Sequence, residues 1–191
     1  MRQWFAIGAV VVLAGCSSTL KPGSLDPKTG YFPTQSGISP GGVLTAEKFD
    51  PKYLRMLYVK TDSKSDKLNA FYIDSFKNMG RFQQVVGKDE LEALVLQRGL
   101  ADKVQNISDL IGLKNLSNVI GPFLVVEPTA EYKGGYNFTA ALKTTDAETG
   151  TVVLQLRNNA FNWAGLDEPL FYPLFNGFLD WTNSREILTK N

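Results

Sequence analysis

The sequence predicts an α/β (α+β) fold in which a mixed β-sheet packs with helices, in the order β-α-β-α-α-β-β-β-α. Three observations carry this reading. Apolar residues recur at helical spacing in the first half of the chain. Residues 123–126 form a solid apolar run, as in a strand buried on both faces. From 136 to 157 apolar and polar residues alternate, which is the period of a half-buried strand. Both periods in one chain place helices against a sheet.

Tyr53–Lys60 (YLRMLYVK) is the first expected strand. Lys67–Met79 is expected as a helix, because Leu68, Phe71, Tyr72, Ser75, Phe76 and Met79 share a face, and Gly80 ends it. A short strand follows at Phe82–Val86. Asp89 with Glu92 three residues on reads as a capping box, opening a helix lined by Leu91, Leu94 and Val95. Ile107–Val119 is a weaker helix. After the buried run come two alternating strands, one with Tyr136, Phe138, Ala140 and Leu142 and one with Val152, Leu154 and Leu156. Gly134-Gly135 signals a hairpin, Asp146–Gly150 a longer turn, and Asn158-Asn159 a bulge or strand end. The chain closes with a helix over Leu170–Leu188, in which Pro173 suits the first turn.

That last helix is apolar nearly all round, within a crowd of aromatics that includes Phe161, Trp163, Phe171, Tyr172, Phe175, Phe178 and Trp181. Leu174, Phe178 and Trp181 are expected in the core. Phe171 and Phe175, one helical step round, are expected to be exposed and to bind a partner protein or a second copy of the chain.

The amino end has a different character. Arg2 precedes ten apolar residues, Trp4–Leu13, and then Leu13-Ala14-Gly15-Cys16. A run this short cannot cross a hydrocarbon core, which needs about 20 helical residues, so it reads as a cleaved signal peptide over residues 1–15. The tetrapeptide resembles the lipobox of bacterial lipoproteins. The resemblance implies lipidation at Cys16, attachment to a membrane through that lipid, and, with Ser17 and Ser18 following, sorting to the outer membrane facing the periplasm. Cys16 is the only cysteine, so no intrachain disulfide competes for it. Residues 16–47 carry four prolines, five glycines and no apolar period, and are expected to form a flexible tether that folding does not need. Its 31 residues after Cys16 would reach about 100 Å fully extended. Tyr31-Phe32 is the point where it would dock if part of it packs back. Residues 48–191 are expected to form a single domain.

Charge and residue type exclude several classes. With Arg2 removed, 20 basic residues become 19, against 19 acidic ones. A neutral chain without a basic run offers no footprint for nucleic acid. There is no histidine, which removes Ser-His and Cys-His nucleophiles and histidine metal sites. Asp89, Glu90 and Glu92 are the densest acidic group, and a helix amino end favours acids on electrostatic grounds alone. No catalytic residue, metal site or cofactor is expected.

Several stretches, taken in order, resemble the periplasmic domain family of the curli secretion-channel lipoprotein, the LpoB-type activators of penicillin-binding proteins and the TolB amino-terminal domain. They are Met79–Val86 (MGRFQQVV), Lys88–Leu94 (KDELEAL), Phe123–Val126 and Asp146–Val153 (DAETGTVV), within about residues 53–160. The resemblance implies a non-catalytic periplasmic module that binds or regulates an envelope protein assembly. The alternative is a ligand-binding or hydrolytic domain acting on lipid or peptidoglycan fragments. The strand connections leave no room for the membrane-spanning inserts of a pore.

Replacing Cys16 by Ala is expected to abolish incorporation of radiolabelled palmitate and to leave the leader uncleaved by the lipoprotein peptidase. Labelled fatty acid on the variant, or a soluble wild type, would refute the lipobox.

Overall fold

The computed structural model describes residues 20, 22–62, 64–104, 106–161 and 167–190. The leader, Cys16 and Trp163 lie outside them. The expected class holds: six strands form one mixed sheet with four α-helices around it. Helix α1 (Asp66–Asn78) starts where Ser65 accepts from the Leu68 N–H, and α3 (Leu110–Ile120) starts where Asp109 accepts from the Gly112 N–H. The strands are β1 (Val43–Ala46), β2 (Met56–Val59), β3 (Gln84–Val86), β4 (Leu124–Gly134), β5 (Asn137–Asp146) and β6 (Val152–Phe161). Their order across the sheet is β1-β6-β5-β4-β2-β3. β2 lies parallel to β3 and β4, while β4, β5, β6 and β1 run antiparallel in turn.

Helix α2 (Lys88–Gln97) begins two residues earlier than the Asp89–Glu92 box implies. Gly87 is the cap, and Glu90 reaches back to accept its N–H at 2.7 Å. Glu90 also pairs with Lys77 at 2.8 Å, and Glu92 with Lys88 along the helix. The acidic cluster is a capped helix start. α2 and α3 bury Leu91, Leu94, Leu113 and Leu116 with Tyr58 and Val125 on one face of the sheet. The other face holds the larger core, built with α1 and α4 (Tyr172–Thr182).

Three expectations are corrected along β6 and α4. Asn158-Asn159 does not end the strand, which continues to Phe161 with Asn158 wholly buried beside Leu156 and Ala160. The last helix does not run to Leu188. A π-helical turn over Asp167–Phe171 leads into α4, which stops at Thr182 because Ser184 turns left-handed at φ 55°. There the Arg185 N–H bonds the Asp180 carbonyl and the Ser184 N–H bonds Trp181, a Schellman closure. Leu188, outside the helix, is exposed. Phe171 and Phe175 are not a surface: they are 1% and 0% exposed, as deeply buried as Leu174 and Phe178. The physical reason is that α4 is covered on every side.

The extra cover comes from residues expected to be a tether. Phe32 is 1% and Ile38 0% exposed. Phe32 stacks on Tyr172 with ring centres 5.2 Å apart and lies 5.4 Å from Phe175. Its backbone N–H and carbonyl both bond the Asn176 side chain, at 2.8 and 3.0 Å. Tyr31-Phe32 is indeed a docking point, but the contact extends far beyond it. Ile38 meets α4 at Gly177, where a side chain could not fit: a Cβ there would lie 2.6 Å from Ile38 Cδ1. Ile38 also bridges to Thr189. The segment then becomes β1, paired with β6, a strand the sequence reading lacked. The packed body therefore begins near Leu20, which packs on the main core, rather than at residue 48.

Emptying the Phe32 site with Phe32→Ala is expected to cost about 3–5 kcal/mol, as for other core phenylalanines, measured by urea unfolding. A chain beginning at Thr45 is expected to fail to fold. A small effect in both would restore the tether.

Candidate functional site

The best-formed cleft lies where the amino-terminal segment crosses α4, with a volume of about 460 Å³. Tyr31, Thr34, Asn176, Asp180 and Thr189 line it. Its chemistry is already committed within the chain. Asn176 spends both side-chain atoms on Phe32. Asp180, 3% exposed, accepts from the Tyr31 hydroxyl, which in turn accepts from Arg185 at 3.0 Å. Burial holds the Asp180 carboxyl above the usual carboxylate range, while the Tyr31 and Leu188 hydrogen bonds pull the other way. The same contact, chiefly the hydrogen bond to Asp180, pushes the Tyr31 hydroxyl up. This is a latch that fastens the segment to the helix. The other buried carboxylate, Asp146, bonds the Glu148 N–H and the Thr149 hydroxyl within its own turn. Neither carboxylate is presented to a substrate. Among the described residues no group of three acidic, histidine or cysteine side chains is placed to hold a metal.

A surface of another kind lies at the far end of the β4–β5 hairpin. Tyr132 and Phe138 face each other across the strands at 5.1 Å. The turn between them falls on Gly135-Tyr136, one residue later than the Gly-Gly signal implied. Both residues have positive φ, 56° and 63°, the geometry of a type I′ turn. Tyr136 thereby leaves the strand and meets Phe161 at 6.2 Å. Phe138 pairs with Ala160 and Asn137 with Phe161, so the two aromatic contacts sit on opposite faces of the ribbon. From Thr129 to Lys133 every residue of β4 is exposed. Tyr132, Tyr136 and Phe161 are 62%, 54% and 61% exposed. In the sequence Phe161 belongs to the aromatic crowd near the last helix, and Tyr136 reads as the first inward residue of a strand that in fact begins at Asn137. The cross-strand partner of Phe138 was legible in principle, by extending the buried run of 123–126 back from the Gly-Gly turn.

Elsewhere the exposed sheet face is polar. Glu127 holds Lys60 and Lys143, each at 2.9 Å, and these cations keep its carboxyl low although burial opposes them.

No family model and no curated protein matches this chain. The LpoB-type likeness read in the sequence recurs among solved structures. The LpoB carboxyl-terminal domain from Escherichia coli is 13% identical with a TM-score of 0.39, and the one from Salmonella enterica is 13% identical at 0.36. Each match covers 58% of this chain and 85% of the other. A lipoprotein from Neisseria meningitidis is 14% identical at 0.37, over 58% of this chain and 82% of that one. At such TM-scores the likeness lends no role to this chain.

The latch gives a pH dependence with a definite sign. A carboxyl whose folded pKa is raised stabilises the fold fully below its unfolded value, about 3.8, and loses that contribution as pH rises through the folded value. Asp180→Asn lacks this dependence and still accepts from Tyr31. Its stability relative to the parent, followed by urea melts from acid to neutral pH, is expected to improve as pH rises.

Proposed function

We propose that this chain is a lipoprotein of the outer membrane, cleaved before Cys16 and lipidated there. It acts in the periplasm as a non-catalytic module, binding an envelope protein through the aromatic end of its β4–β5 hairpin. The observation that carries the reading is the exposure of Tyr132, Tyr136 and Phe161 together at one projecting end. A cluster of rings left in water is costly unless something covers it. Tyr and Phe are enriched in the centres of protein interfaces, where the burial of a few aromatics carries most of the affinity. The hairpin bears Glu131 and Lys133 among the rings, and these suit the polar rim of such an interface. A hydrolytic role has no support in the buried carboxylates, which are taken up by turns and by the latch.

Tyr132→Ser with Tyr136→Ser is expected to leave the melting temperature nearly unchanged, because both side chains are mostly in solvent. A hot-spot aromatic is worth about 2 kcal/mol of binding, so the double variant should lose at least about thirtyfold in affinity. The check is a photo-crosslinking amino acid at position 161 in living cells: an adduct with an envelope protein in the parent, and its loss in the double variant. An adduct made of two copies of this chain identifies self-association instead. An adduct that survives the two substitutions refutes the hairpin as the contact.

A further inference from the structure

The amino-terminal segment and the anchor together fix how far the body can stand from the membrane. Leu20 already packs against the main core, and the Gly23 carbonyl accepts from Asn78 at 3.0 Å. Only Ser17, Ser18 and Thr19 separate Leu20 from Cys16. Four backbone steps reach at most about 14 Å whatever conformation they take. We propose that this short leash holds the outer face of α1 against the lipid headgroups, with the α2–α3 layer turned away. The inference rests on the lipidation of Cys16 proposed above.

The side of the body is set by where the chain enters it. Gly23 lies against Tyr172 at the start of α4 and is bonded from the end of α1, so the leash arrives on the α1–α4 face. The sheet separates that face from α2 and α3, whose apolar side chains form a core of their own. No large apolar residue is exposed among the described residues of α1 or α4, and Lys67, Asp74 and Lys77 alternate in sign there. Such a surface rests among zwitterionic headgroups without inserting. The leash, not a patch of its own, therefore keeps it there.

The test uses the full lipidated protein in phosphatidylcholine vesicles that contain a headgroup-nitroxide lipid. In the lipidated protein the Cys16 sulfur is a thioether, so Asp74→Cys or Ile111→Cys supplies the one free thiol for a fluorophore. Position 74 is on the exposed side of α1, and 111 is exposed on α3 across the sheet. Quenching at 74 is expected to exceed that at 111 several-fold. A spacer of about 20 Gly/Ser residues between Ser18 and Thr19, adding some 25 Å of coil, should bring both sites to the same low level. Equal quenching without the spacer overturns the docking, and so does quenching at 74 that survives it. Flotation of the same samples separates the two claims: protein that does not float with the vesicles refutes the anchor itself.

Discussion

An α-helix with only one residue in eleven out of the core needs cover on all sides, and that need organises this molecule. In α4 every residue but Asn176 is buried. The sheet covers one side and α1 a second, through Phe71, Phe76 and their contacts with Phe171, Phe175 and Phe178. The third side falls to a stretch with no secondary structure of its own. Phe32 and Ile38 do the covering, each fully buried and each worth about 1.5–3 kcal/mol of transfer free energy. Asn176 then has a function as the helix's one partly exposed side chain: its amide imitates a strand partner for the Phe32 backbone.

Covering a helix with irregular chain leaves backbone polar groups to be satisfied, and a single amide does much of this. Asn158 Oδ1 accepts from the N–H and the hydroxyl of Ser39, while its Nδ2 donates to the carbonyls of Pro169 and Leu170, all between 2.9 and 3.1 Å. One side chain thus ties the amino-terminal segment, β6 and the π-helical turn together. Unpaired, a buried amide costs on the order of 1–3 kcal/mol. With all four bonds made, it sets the relative position of three segments. At the other end of α4, its own Trp181 Nε1 donates to the Glu47 carbonyl and the Arg81 guanidinium donates to the Thr182 carbonyl, so the helix terminus is tied to two distant segments.

Much of this was legible in the sequence wherever a period existed. The helical spacing of Phe71, Tyr72 and Phe76, the alternation of Leu154 and Leu156, and the core roles of Leu174, Phe178 and Trp181 all follow from burial on one face. What escaped has no period. The amino-terminal segment contacts the core through isolated residues between prolines, so composition alone reads it as unstructured. The excess apolar surface of the last helix is plain in the sequence, but the pattern does not show that its cover lies some 140 residues away in the same chain rather than in another molecule. Asn158 sits in phase with Leu154, Leu156 and Ala160, and a polar residue at a core position marks a partner to be found, not an end to the strand. The aromatic tip depends on a turn placed one residue later than its glycines suggest, which turns Tyr136 out of the ladder.

The amino-terminal segment and the tail after α4 are each other's neighbours, Ile38 pairing with Leu188 and Lys190. Chains emerge from the ribosome amino end first. The segment around Phe32 thus waits until α4, some 140 residues later in the chain, has been made before its seat exists. Native contacts this distant in sequence are slow to form. Until they do, Phe32 and Ile38, both fully buried in the finished fold, are bare to solvent. A chain cut short after β6 would keep its sheet residues but leave that segment permanently uncovered, because the helix that seats it would never be made.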